Sequence, residues 1–577
     1  MIARYLCAGL AVGALSFSHV FAQDAPESLL PAQRPASEVA PTPLPGVSQP
    51  APEDTATDAT PLPVQVEVPK PRPRRAPAGP RLPLGWLEPA DGGLGADIWR
   101  GSNAKAVNGV LRTIRQPLSS RWMNVLLRRA LVSRADDPQG ASVGDIAATR
   151  ALALLRVGEA HAAKRIMDRL GVERFTRLAY FVAPQAQLLA GDIPALCPIT
   201  VTGPAVYRDP QWDLFSAICA ALEGDAGQAA LVLDDLRERE AVDPVEIQLA
   251  DQVATAVGGG GNRGVNVDWP LGPDAETYAL TPYRLGMALA GRSELPANLR
   301  SRLGQAGYSW IARHAEAPVD LRFQAAPYAL LAGALPLDDA LGIWAQAAQA
   351  NPDVLRADTA PARLRAAYVA PGARSKLATL RSFWGEPGAP GRIVRLLLSA
   401  RAVASVTPAD TDEAPDMVRA LAFGGAWRQA LRWGEAMGDG AHRVWPILAA
   451  LNPRAPRTGA AFGDWADTLE SAGDTGHRKA LAAAVVAATA PDPFGDAARA
   501  MLDRGSVALA PTPLADVLSA ATRRDRHGEL IVRCARLFAA PRLDPSSVHA
   551  ALAALNRAGY RVEAGLIGAE LLIREGL

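Results

Sequence analysis

A chain of 577 residues is long enough for more than one hydrophobic core, and its 49% apolar content places it among folded proteins. With 60 Lys and Arg against 59 Asp and Glu, the net charge of +1 gives no global field for nucleic acid or an anionic membrane, which argues against a nucleic-acid partner. Aromatics make up only 6% and no Cys-x-x-Cys occurs, so closely packed alanine-rich helices without thiol redox chemistry are expected.

Arg4 precedes a mostly apolar run from Leu6 to Phe17, and Val20-Phe21-Ala22 puts small or apolar residues before a cut at Gln23. Residues 1–22 read as an export signal. The run is short for a bilayer crossing, although an uncleaved anchor is the alternative. Alanine-rich, lysine-poor composition points to the periplasm of a bacterium. Residues 23–95 are proline-rich and read as a disordered spacer. Within them, Val64-Gln65-Val66-Glu67-Val68 alternates like a sheet-edge strand but suits solvated linker better. Lys70, Arg72, Arg74 and Arg75 form one basic cluster, suited to solubility or to weak contact with an anionic envelope surface.

Helical periodicity dominates from Ser119, and residues 96–260, 261–406 and 407–577 read as three helical regions. Trp122, Val125, Leu126 and Arg129 share one face; Ala163, Ile166, Met167 and Leu170 share another. Phe175, Leu178, Phe181 and Leu188 continue the pattern, with Pro184 expected to kink or split that helix. Acid–proline pairs at Asp209-Pro210, Asp243-Pro244 and Asp544-Pro545 mark helix starts, and Glu246 stands at a capping-box position. Gly258 to Gly261 break the first region, before a short extended piece near Val265–Pro270.

Three glycines, Gly158, Gly191 and Gly224, each end an apolar run and precede an acid (Glu159, Asp192, Asp225) at a regular 33-residue step. A period in this range is the mark of stacked helical hairpins. Small residues follow two of these turns at Ala163 and Ala229. The pattern recurs at Gly425 with Ala430 and at Gly559 with Ala564. On these residues the chain resembles tetratricopeptide-type repeats, mainly over residues 140–260. Leu196 departs from the small-residue position, and the family's tryptophan, tyrosine and proline positions are not regularly filled. The resemblance implies an all-α fold: an α-solenoid of helical hairpins that holds a protein partner.

Cysteine use fits export. Cys197 and Cys219 bracket a loop containing Pro198, Gly203, Pro204 and Pro210, and are expected to form a disulfide in an oxidising compartment. Cys534 lies on an apolar helical face and reads as core.

No chemical motif is well placed. Gly259–Gly264 matches Gly-x-Gly-x-x-Gly, but a helix precedes it and Pro270 follows, so a hinge fits better than a nucleotide loop. Gly140-Ala141-Ser142-Val143-Gly144 matches Gly-x-Ser-x-Gly without the strand a hydrolase elbow needs, so Ser142 reads as a helix N-cap. Histidines are scattered, and no metal, cofactor or catalytic set is assigned. Glu470-Ser471 is a faint echo of the lytic transglycosylases; a plain helix end is the simpler reading. Trp427, Trp433 and Trp445 cluster in sequence and are candidates for a partner-binding groove, with core burial the alternative. The expectation is therefore a non-enzymatic scaffold or adaptor. Alternatives are an envelope enzyme acting on peptidoglycan through a site assembled from distant residues, or a structural envelope assembly factor.

Overall fold

The computed structural model describes residues 83–577 except 141, 260–266, 271–277, 357, 453–458, 472, 490–493, 505–508, 510–511 and 541. The expected signal, Val64–Val68, the basic cluster Lys70, Arg72, Arg74 and Arg75, and Gly260–Gly264 lie outside the described residues. Among the described residues all regular structure is helical, with no strand and two isolated bridges.

The first group of helices is α1 (Ala104–Thr113), α2 (Arg121–Val132), α3 (Val143–Arg156), α4 (Ala160–Leu170), α5 (Arg177–Ala190), α6 (Cys197–Val206), α7 (Gln211–Leu222), α8 (Ala226–Glu238) and α9 (Pro244–Val257). The second is α10 (Pro282–Ala290), α11 (Ala297–Arg300), α12 (Gln305–Arg313), α13 (Val319–Ala332) and α14 (Leu337–Ala350). Then come α15 (Ala360–Val369), α16 (Ala373–Trp384) and α17 (Arg392–Ala404). The last group is α18 (Ala414–Gly424), α19 (Trp427–Ala436), α20 (Trp445–Leu451), α21 (Gly459–Glu470), α22 (Asp474–Ala487), α23 (Phe494–Arg504), α24 (Pro513–Arg523), α25 (His527–Phe538), α26 (Pro545–Arg557) and α27 (Arg561–Arg574). Residues 83–577 belong to one compact unit. Consecutive helices pair as hairpins at α3–α4, α7–α8, α18–α19 and α26–α27, while α10 returns to pack on α5 and α9.

Local chemistry sets the helix starts. Asp243 and Asp544 accept hydrogen bonds from the backbone N–H of Val245 and Ser547, while the Asp209 carboxylate takes that of Gln211. Glu246 does not close a capping box; it pairs with Arg284 of α10 at 2.9 Å, which also bonds Asp243 at 2.8 Å. Helix α5 runs unbroken through Pro184, so the proline does not split it. Pro184 is buried where α5 lies among α3, α4 and α10, and that tertiary contact outweighs the lost backbone bond.

Gly158, Gly191, Gly224, Gly425 and Gly559 all adopt φ between +76° and +91°. Gly158 carries a second constraint: a Cβ there would stand 2.6 Å from Ser309 Cβ. The α3–α4 turn is thus pressed onto α12. A Cβ on Gly191 would stand 3.4 Å from the His314 ring, whereas Gly224 and Gly559 have nothing within 4 Å. The regular spacing therefore marks two turns covered by the second helical group and one that is open.

Helix α2 is the meeting point of the unit, packing on α3, α13, α25 and α27. Glu570 of α27, 0% exposed, caps its N-terminus. Its carboxylate accepts the N–H groups of Arg121 (2.8 Å) and Trp122 (3.0 Å), the Ser120 hydroxyl (2.6 Å) and Arg574 Nε (2.9 Å). An anion at a helix N-terminus is favoured by the aligned peptide dipoles and satisfies otherwise orphaned donors. Arg121 donates to the Leu330 carbonyl and Asn124 to that of Ala332, tying α2 to α13. Burial pulls the Arg121 guanidinium down to about 10, with Glu570 opposing that fall. Buried Glu159, the acid after Gly158, binds Arg128 of α2 and Arg313 of α12. Four segments distant in sequence are joined by these two carboxylates.

Candidate functional site

The outward face of α6 is the candidate site. The chain has no charged residue from Ile193 to Tyr207, between Asp192 and Arg208. Helix α6 reads Cys-Pro-Ile-Thr-Val-Thr-Gly-Pro-Ala-Val. The stretch between the cysteines is thus largely helical rather than the expected loop. Pro198 sits in its first turn, where a missing N–H costs nothing. Ile199, Thr200 and Gly203 face inward, and the Thr200 hydroxyl bonds the Leu196 carbonyl at 3.0 Å. Val201 is 82% exposed, and Pro198, Pro204, Ala205 and Val206 are exposed with it. Phe181, on the adjoining α5, is 48% exposed.

This apolar face is held from three directions. A disulfide joins Cys197 to Cys219 of α7, with Cα atoms 5.6 Å apart. A Cβ on Gly203 would stand 2.6 Å from the Trp212 ring, so only glycine lets α6 lie this close to the indole. Tyr180 of α5 donates its hydroxyl to Thr202 Oγ1 at 2.8 Å. Beneath the helix, rings run in contact from Phe175 through Tyr180, Trp212 and Phe215 to Tyr283, with centroids 5.2–6.2 Å apart. Tyr207 joins Trp212 at 5.3 Å, and Trp212 Nε1 donates to the Tyr207 carbonyl. Burial, with the Asp209 charge, raises the Tyr207 phenol to about 12, while Arg177 over its ring acts the other way. The face presents no charge, metal ligand or nucleophile. Its chemistry is the burial of apolar surface.

The tryptophan groove does not form. Trp433 and Trp445 are core residues, 1% and 3% exposed. Trp427 is half-buried, with the Arg428 guanidinium 4.4 Å above its ring. The amphipathic α19 turns Trp433 inward together with Ala430 and Gly434. Ser142 caps α3: its hydroxyl accepts the Asp145 N–H at 3.1 Å, with no strand before it. Glu470 ends α21, and its side chain lies outside the described residues. Cys534 is buried, and burial pushes its thiol up to about 12.

Among the described residues, no three His, Cys, Asp or Glu side chains are grouped to hold a metal ion. A cavity of about 20 Å³ bounded by Pro446, Val486, Thr489, Leu552 and Asn556 has room for one water. No described helix is long and apolar enough to cross a membrane. Comparison with known protein families, curated proteins and solved structures finds no match to this chain.

The α6 face was not singled out by motif. Its one sequence signal is the uncharged run 193–207 beside Cys197, which resembles ordinary core until its exposure is seen.

Proposed function

We propose that this chain is an exported helical-repeat scaffold of the bacterial envelope, a TPR-like α-solenoid that docks a protein partner on α6. One observation carries this reading: a charge-free helix exposes Val201, Pro204, Val206 and the neighbouring Phe181 to water while a disulfide and an aromatic layer hold it rigid. Exposed apolar patches on a rigid support are places where another protein gains buried area without an ordering cost. The partner surface that suits α6 is an apolar, uncharged segment, since any unpaired charge set against this face would lose its water. The disulfide supports export, because such bonds persist in oxidising compartments. The signal-like residues 1–22 and the proline-rich stretch after them supply delivery and spacing.

The test is co-purification from envelope extracts with wild type and Val201→Asp. A single species captured by wild type and lost with Val201→Asp, with thermal unfolding unchanged, supports the reading. Equal capture by both proteins removes α6 from the account.

A further inference from the structure

The chain is neutral overall, but its charge is not evenly spread. Between residues 356 and 401 stand Arg356, Arg363, Arg365, Arg374, Lys376, Arg381, Arg392, Arg395 and Arg401, against only Asp358 and Glu386. Three of these arginines converge on the last turn of α16. Arg363 of α15 reaches the Ser382 carbonyl at 3.5 Å, Arg395 Nε donates to that of Trp384 at 3.0 Å, and Arg392 donates to that of Gly385. The α16 C-terminus attracts cations through its unpaired carbonyls, and each of the three arginines meets a different one.

Carboxylates do not balance the cluster. Asp416 of α18 is shared by Arg392 at 2.6 Å and Arg419 at 2.9 Å. Glu413 is taken by Arg381. Among the described residues neither Arg363 nor Arg395 has an ion pair, and Glu386 forms none either. Burial lowers the Arg395 guanidinium, and the like charges of Arg392 and Arg363 lower it further. Each guanidinium carries five N–H donors, and Arg363 and Arg395 each place one on a carbonyl.

The loop between α16 and α17 lies alongside. Gly385, Gly388 and Gly391 hold φ of +70°, +81° and +74°. A Cβ on Gly385 would stand 3.4 Å from one terminal nitrogen of Arg395, and one on Gly391 3.6 Å from the other. The backbone at Gly385 and Gly391 therefore passes beside that guanidinium.

We propose that Arg363, Arg392 and Arg395, beside the Gly385–Gly391 loop, form a binding site for a phosphate-class oxyanion. A tetrahedral dianion matches this arrangement better than a carboxylate, because its oxygens can take forked donors from more than one arginine and its charge offsets more of the excess. The anion comes either free or as the headgroup of an anionic phospholipid. This site is independent of the α6 face.

Calorimetric titration of the full chain with inorganic phosphate and with pyrophosphate at low ionic strength tests it. Wild type is expected to bind one equivalent, and Arg363→Gln to bind at least about tenfold more weakly. Because Arg363 makes only a long contact with Ser382, thermal unfolding without phosphate should be the same for both. Arg395→Lys, which keeps the charge and loses the fork, should also weaken binding. No saturable binding by wild type, or equal binding by wild type and Arg363→Gln, overturns the proposal. Co-sedimentation with phosphatidylglycerol vesicles but not with phosphatidylcholine vesicles, lost in Arg363→Gln, supports a lipid headgroup. Phosphate binding without co-sedimentation supports a free anion.

Discussion

Replacing Glu570 with alanine removes the carboxylate by which α27 caps the start of α2. The carboxylate is fully buried and accepts four hydrogen bonds, two of them from backbone N–H groups in the first turn of α2. Its loss orphans those donors and leaves the buried Arg121 and the half-buried Arg574 without their counter-charge. Breaking a buried ion pair by removing one partner costs about 3–5 kcal/mol. For roughly 500 residues unfolding together the entropy change is ~1 kcal/mol/K, so the melting temperature should fall by ~4 °C. Glu570→Gln keeps the shape and part of the hydrogen bonding, and should fall about half as far. Differential scanning calorimetry at low and high salt is the assay. The drop should not shrink with salt, because a buried pair is poorly screened. A Glu570→Ala melting temperature within ~1 °C of wild type would refute the view that this clasp holds the unit together.

Three further outcomes follow from the same geometry. Cys197→Ser with Cys219→Ser should cost about 3 kcal/mol on the chain-entropy account, and hydrogen exchange should show the loss of protection concentrated in α6; uniform loss would contradict the local role of the bond. Burial holds His161 and His314 at about 4, below the usual 6.5, with Arg313 next in effect on His161. The unfolded chain takes up these protons near 6.5 and the folded chain near 4, so their effect is nil above pH 6.5. Stability then falls between pH 6.5 and 4 by up to ~3 kcal/mol per histidine, read as a urea midpoint that His314→Gln should make less pH-dependent. Gly224→Ala meets only the left-handed backbone penalty of about 1–2 kcal/mol, whereas Gly158→Ala adds a clash with Ser309 and should cost more; equal unfolding midpoints would show that the α3–α4 turn is not pressed onto α12.

What could be read from the sequence was local. Acid–proline pairs such as Asp544-Pro545 announce helix starts because the cap and the fixed φ act within one turn. The glycine turns are equally legible, since left-handed backbone is a property of single residues. The joining of Ser120 to Glu570 is not, because it spans 450 residues and no spacing rule connects them. Pro184 leaves α5 unsplit for a related reason: its local cost is real, but α5 is held by packing on α3, α4 and α10. Trp433 and Trp445 show that tryptophans close in sequence say nothing of exposure until the helix face is known. The Arg363, Arg392 and Arg395 cluster was hidden by a net charge near zero, which averages away a basic stretch. The α6 face was hidden by composition, since an uncharged run reads as core whether or not something covers it.

Docking of a partner on α6 is tested by site-specific photocrosslinking in cells. A photoreactive residue is placed at Val201, and for comparison at Val517 of α24, an isolated exposed apolar position 37% accessible. Docking on α6 gives one discrete protein-sized adduct from position 201 and none from 517. No adduct at 201, or the same adducts from both positions, would contradict docking on α6.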